Sequence, residues 1–103
     1  MKHFLKAEPE SFDLLALRIS EVQLRKNDRN FKVGDTCVFY LWNPGLKIFT
    51  GRATVELPIV TVLENHEGLT PGWCLIVLKV PSSCITRWVP DETIALDLAN
   101  AAG

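Results

Sequence analysis

Apolar and polar positions divide the chain into short blocks with two different periods. Residues 3–7 form a brief, partly apolar run that predicts a first strand. Pro9-Glu10-Ser11-Phe12-Asp13-Leu14-Leu15-Ala16-Leu17 then predicts a helix. Pro9 suits a first helical turn, where an N–H would have no intrahelical partner. Glu10 and Asp13 suit the positive N-terminal end of the helix dipole. Phe12, Leu15 and Ile19 recur at helical spacing and are expected to face the core. The period changes to two in Glu21-Val22-Gln23-Leu24-Arg25. Strict alternation there predicts a half-buried strand, with Val22 and Leu24 on its apolar face and Glu21, Gln23 and Arg25 on its polar face.

Lys26-Asn27-Asp28-Arg29-Asn30 has the composition of a turn. Phe31-Lys32-Val33-Gly34-Asp35 is a second turn, launching the aromatic and β-branched strand 36–42. Asn43-Pro44-Gly45 breaks that strand and residues 46–49 begin the return. Thr50-Gly51-Arg52 is a turn or bulge, followed by a long strand over 53–63. Pro58 cannot donate to a ladder, so an edge or a bulge is expected there. Residues 73–80 are apolar on both faces and predict a central strand. Residues 84–90 carry no clear period, and 91–99 predict a short helix with acidic residues in its first turn. Several strands, one early helix and no βαβ rhythm give an α+β domain built on a curled sheet or small barrel.

Composition narrows the function classes. With 103 residues the chain is one domain, and 48% hydrophobic against 22% charged residues excludes intrinsic disorder as the main state. The formal charge of −1 excludes a globally basic nucleic-acid binder. Residues 1–52, however, hold nine basic and six acidic side chains, while residues 53–103 hold two and six. That asymmetry points to an anionic partner on one face. No apolar run approaches the roughly 20 residues of a membrane span. The charged opening residues do not suit a signal peptide, and Cys37, Cys74 and Cys84 form no C-x-x-C. A cytoplasmic protein with reduced thiols is expected, with Cys37 and Cys74 in the core and Cys84 a candidate for exposure. His3 and His66 have no second ligand at metal spacing, so no metal and no cofactor is expected.

The densest polar cluster is Arg25-Lys26-Asn27-Asp28-Arg29-Asn30-Phe31-Lys32, four cations with one carboxylate. Arginine grips phosphate bidentately and lysine acts as a point charge. Phe31, Tyr40 and Trp42 lie close by in sequence, and cations beside stacking rings are what single-stranded nucleic-acid binding requires. A solvated turn beside core aromatics is the competing reading.

Longer spacings complete a pattern: His3-x-Leu5-Lys6-x-x-Pro9-Glu10-x-Phe12, then Arg25-Lys26-Asn27-Asp28-Arg29-x-Phe31-x-Val33-Gly34-Asp35, then Thr50-Gly51-Arg52, then Gly68-Leu69-x-x-Gly72-Trp73. Over about residues 3–80 this resembles a bacterial and phage subfamily of the ASCH domain, within the PUA-like superfamily. Residues 81–103 have no counterpart in it and form a C-terminal extension, packed on or appended to the same domain. The resemblance implies a PUA-like fold: a small mixed β-barrel, a helix near its N-terminus and a cleft beside that helix. It also implies an RNA or nucleotide ligand. The sequence departs from the G-x-K-x-x-E-x-R run common in ASCH domains, where Arg18, Ser20, Gln23 and Arg25 stand and only the last arginine is kept. Some small ASCH proteins similar to this one hydrolyse N4-acetylcytidine with a lysine at the position of Ser20 and a threonine at that of Gln23. Serine has no amine and glutamine does not titrate, so that chemistry is not expected here. Lys6 substitutes only where the fold brings it into the cleft.

The leading expectation is therefore a non-catalytic RNA- or nucleotide-binding module. Arg25 reaches into the cleft, with Gln23 beside it as a neutral reader of base edges and Ser20 nearby. Lys26 and Arg29 hold phosphate, Asp28 orients an arginine, and Tyr40 or Trp42 stacks on a base. Gly34 and Asp35 shape the turn. Lys6, His3 and Arg52 are weaker candidates. The alternatives are a small nucleoside amidohydrolase, for which Glu21 is the local carboxylate, and a protein-interaction module using the apolar C-terminal segment.

Overall fold

Strand β3 (Thr36–Asn43) organises the molecule, because both of its edges and both of its faces are used. The computed structural model describes residues 1–65 and 67–101, with the side chains of 99–101 left aside. His66, considered above as a ligand, lies outside the described residues. Strand β1 (Lys2–Ala7) runs parallel to one edge of β3, from Lys2 opposite Thr36 to Ala7 opposite Leu41. The other edge of β3 pairs antiparallel with β5 (Leu57–Glu64) at its start and with β4 (Ile48–Thr54) towards its end. Strand β6 (Trp73–Leu78) pairs with β5, and β2 (Val22–Lys26) pairs with β6. Strand β7 (Thr86–Trp88) adds to β4. Among the described residues there are thus seven strands, mostly antiparallel, in a sheet that curls into a half-barrel, with helices α1 (Pro9–Ala16) and α2 (Asp91–Ala101).

The continuous apolar run of β3 follows from burial on both faces. Cys37 and Phe39 enter the main core with Leu5, Ile59, Ile76 and Leu78, and α1 closes it with Phe12 and Leu15. Val38 and Tyr40 point the other way, into a second core completed by Ala53, Val89 and Ile94. Residues 84–90, which carry no readable period, supply Ile85 to the main core and Val89 to the second. Helix α2 covers the second core through Ile94. Among the described residues no helix is long and apolar enough to cross a membrane.

Three expectations change. Ile19 is 69% exposed, because α1 ends at Ala16 and Arg18 turns the chain with a positive φ of 56°. The strand predicted over 53–63 is broken at Val55-Glu56, where the Val55 amide donates to the Ile85 carbonyl instead of a sheet neighbour. Pro58 lies inside β5, opposite Thr36 at the start of β3, and the ladder bulge sits beside it between Ile59 and Thr61. The third change concerns β2. Val22 and Leu24 face solvent, at 42% and 56% exposure, while Gln23 is buried. Residues directly opposite in an antiparallel pair share a face. Gln23 lies opposite Ile76 and Leu24 opposite Leu75, so the burial of Ile76 carries Gln23 inward. The bulge expected at Thr50-Gly51-Arg52 is present as a register shift in the β3–β4 pair, with Gly51 at a φ of 91°.

Gly34 takes a φ of 94° in a turn closed by the Asp35 amide donating to the Lys32 carbonyl. An L side chain is strained there. The turn delivers Asp35 to the first residues of the chain. His3 Nε2 donates to Asp35 Oδ2 at 2.8 Å, the terminal amine lies 3.0 Å from Oδ1, and the Lys32 amide donates to Oδ2. The His3 bond, first among these causes, holds the Asp35 carboxyl down at about 2. Because the folded value lies below the unfolded one, this stabilisation is full above the unfolded value and fades as pH falls towards the folded one. Asp35→Asn is expected to cost about 1–2 kcal/mol at neutral pH. The gap to wild type should close as pH falls from about 4 to about 2 in urea titrations; a gap independent of pH would refute the carboxylate's role.

Candidate functional site

The inversion of β2 builds the site. With Gln23 inward, Arg25 two residues on is also inward, at the open end of the curl between β1, β2 and α1. The Arg25 Nη2 donates to the Lys6 carbonyl at 2.9 Å and approaches Gln23 Oε1 at 3.5 Å. Its Cζ lies 5.3 Å from the centre of the Phe39 ring. Burial lowers the guanidinium pKa, Arg29 adds to that effect, and Asp28 opposes it. The group nonetheless stays charged, since arginine does not deprotonate in proteins. A half-buried cation therefore stands at the mouth of the half-barrel.

Around it opens a cleft of about 430 Å³. Its cations are Lys6, Arg25 and Lys26, its aromatic walls are Trp42 and Trp73, and Gln23 forms part of its lining with Leu24, Ala7, Glu8 and Ser11. Lys6 Nζ lies 4.3 Å from the centre of a Trp42 ring, within range of a cation–π attraction. Trp42 is braced edge-on by Phe49 at 4.7 Å. A second depression of about 220 Å³ shares Lys6, Arg25 and Lys26 and extends to Asp28, Arg29 and Phe31. Among the described residues, Lys6, Lys26 and Arg29 take part in no salt bridge.

The structure thus gathers Lys6, Gln23, Arg25, Lys26 and Trp42 in one cleft and Asp28 and Arg29 next to it. It does not bring the other candidates there. Tyr40 is fully buried in the second core, where its hydroxyl donates to Asp97 Oδ2. Stacking by Tyr40 is therefore corrected, because its ring has no exposed face. Burial, reinforced by Asp97, pushes the Tyr40 pKa up. The Ser20 hydroxyl turns back on the Val22 backbone at 3.3 Å, outside the cleft lining. Gly34, Asp35 and His3 form the turn node already described. Arg52 lies between the Phe12 and Trp88 rings and donates to Thr86 Oγ1 at 3.0 Å. Glu21 is exposed and lines neither depression; Glu8 and Asp28 are the carboxylates that do. Trp73, Glu8 and Ser11 escape sequence reasoning. Trp73 carries a legible signal in Gly72-Trp73, but the apolar strand that follows assigns it to the core.

The thiols separate by environment. Burial pushes Cys37 up to about 12 and raises Cys74. Cys84 is exposed, and Thr86, through its backbone first and its hydroxyl second, lowers its pKa.

Two comparisons bear on the chain. Residues 2–78 match a family described as Domain of unknown function (DUF3850). An uncharacterized 12.9 kDa protein in the GpA 3'region of Escherichia phage P2 is 37% identical over 67 residues, which is 65% of this chain and 59% of that protein. The match therefore spans less than two thirds of the phage protein.

Two outcomes follow from these placements. Tyr40→Phe removes only the hydroxyl bonded to Asp97, and urea denaturation should show a loss of about 1–2 kcal/mol. Unchanged stability would mean that this bond holds nothing. Of the three free thiols, Cys84 alone should react quickly with an aromatic disulfide reagent in the native protein, and Cys84→Ser should abolish that fast phase; a fast phase surviving in the variant would contradict the burial of the other two.

Proposed function

The chain belongs to the DUF3850 family of domains of unknown function, and on the make-up of its cleft we propose that it is a non-catalytic module that binds RNA or a nucleotide. The observation that carries this reading is one cleft holding three cations, Lys6, Arg25 and Lys26, between two tryptophans. Arg25 supplies a fixed fork for phosphate or a base edge. Lys26 and Arg29 hold phosphate at the rim, as cations that take part in no salt bridge among the described residues. Trp42 and Trp73 offer π-faces, each worth roughly 1–3 kcal/mol when a base stacks on it. Gln23, with both a donor and an acceptor, suits a base edge. The half-barrel with its early helix and adjacent cleft is also what an ASCH domain of the PUA-like superfamily would present, and we propose that wider kinship with it. A cytoplasmic site of action belongs to the same proposal.

A second reading rests on a specific observation. Lys6, Glu8 and Ser11 line the same cleft, so an amine, a carboxylate and a hydroxyl stand near one bound nucleoside. That set would suit hydrolysis of an acylated nucleoside. Lys6, however, is stacked on Trp42, and Glu8 is exposed, which leaves binding the better-supported reading.

The test is a titration with short single-stranded RNA at two salt concentrations. Binding by wild type should be saturable and should weaken steeply with salt, because neutralised phosphates release counterions. Arg25→Ala/Arg29→Ala should lose at least about tenfold in affinity. Absence of binding at either salt, with both proteins folded, overturns the reading. Release of acetate from N4-acetylcytidine, lost in Lys6→Ala, would favour the hydrolase instead.

A further inference from the structure

Leu24 is a leucine 56% exposed on a strand whose other face is core, and Trp73 beside it is 37% exposed. The two form the common wall of the central cleft and of a third depression, about 300 Å³, completed by Gly68, Leu69 and Thr70. Lys6, Arg25 and Lys26 are in turn shared between the central cleft and the depression that includes Arg29. Three depressions thus share walls in series. Their chemistry is graded along the series. Among the described residues the first is lined by no charged side chain, the second sets three cations and Glu8 beside two tryptophans, and the third adds Arg29 together with Asp28.

We propose that this series is a track for a single strand of several nucleotides, and that such a strand, not a free nucleotide, is the ligand of the site. This rests on the nucleic-acid reading given above. A free nucleotide has one base and one phosphate group and fills the central cleft alone. It leaves the Leu24–Leu69–Trp73 shelf bare. A strand presents bases and phosphates in repeat, which a shelf of apolar and aromatic surface followed by cations can take in sequence. Trp73 and Lys26 lie directly opposite each other in the β2–β6 ladder. A stacking ring and a phosphate-binding cation are therefore neighbours at the junction of shelf and cleft. Stacking requires bases that are not already paired, which selects a single strand over a duplex. The inversion of β2 serves this purpose on both faces: it turns Arg25 into the cleft and leaves Leu24 outside as shelf.

The test compares uridine monophosphate with uridine oligomers of three and five nucleotides, followed by tryptophan fluorescence. Affinity should climb at least about tenfold from monomer to pentamer. Two variants at opposite ends of the track, Leu69→Ser and Arg29→Ala, each confirmed folded by its thermal transition, should cut that ratio to under about threefold. Leu69→Ser changes no charge, so its effect separates the shelf from general electrostatic attraction. A pentamer that binds no more tightly than the monomer overturns the track and leaves a single-nucleotide site standing. A length dependence untouched by both variants also overturns it. Failure of monomer and pentamer alike to bind overturns the nucleic-acid reading and this inference with it.

Discussion

Ile76 has to enter the core, and Gln23 lies directly opposite it across the β2–β6 ladder, so Gln23 has to enter as well. Two residues further on, the same alternation turns Arg25 inward. Its guanidinium finds the Lys6 carbonyl and the Phe39 ring, and so ties β2 to β1 across the open end of the half-barrel. Lys6 and Trp42 are brought to one wall because β1 and β3 are parallel neighbours, with Lys6 opposite Tyr40. Trp73 is brought to the other wall because it begins β6 opposite Lys26. The cleft is thus a consequence of strand register, and a one-residue slip of β2 would dismantle it.

That arrangement is unfavourable for stability taken alone. Half-burying a guanidinium carries a desolvation penalty that one backbone hydrogen bond and a ring contact only partly offset. Exposing Val22 and Leu24 forgoes apolar burial on the other face of the same strand. Both features place a local exception to the fold's economy beside the central cleft, and such exceptions concentrate at functional sites. The His3–Asp35 node does the opposite: it is a satisfied, buried hydrogen bond that fixes the start of β1 against the start of β3. That polar cluster is closed on itself, whereas Lys6, Lys26 and Arg29 take part in no salt bridge among the described residues.

Much of the fold is legible in the amino-acid order. The helix at Pro9, the bulge at Gly51, the double-sided strand around Phe39 and the central strand at Ile76 all follow from local period and turn chemistry. So does the gathering of cations around Arg25. The facing of β2 was not legible, because alternation shows that two faces differ without showing which neighbour each face meets. Tyr40 and Trp42 are two residues apart and look equivalent in the sequence. Asp97, 57 positions from Tyr40, decides that one is a core residue, and the bulge opposite Gly51 leaves the other at the cleft. Trp73 was hidden for the reverse reason: it begins an apolar strand and reads as core, yet its partner Lys26 lies on the outward face of β2.

Strand register turns Arg25 inward, and we propose that the charge it carries there serves a ligand and is dispensable to the fold. The most direct test is Arg25→Met, which keeps the apolar stem and the packing on Phe39 and removes the charge. Its stability in urea and its affinity for a short single-stranded RNA would be measured together. Stability should equal or exceed that of wild type, because a half-buried cation is exchanged for an apolar group of similar length, and RNA binding should be lost. A variant that unfolds, or one that binds RNA as wild type does, would contradict it.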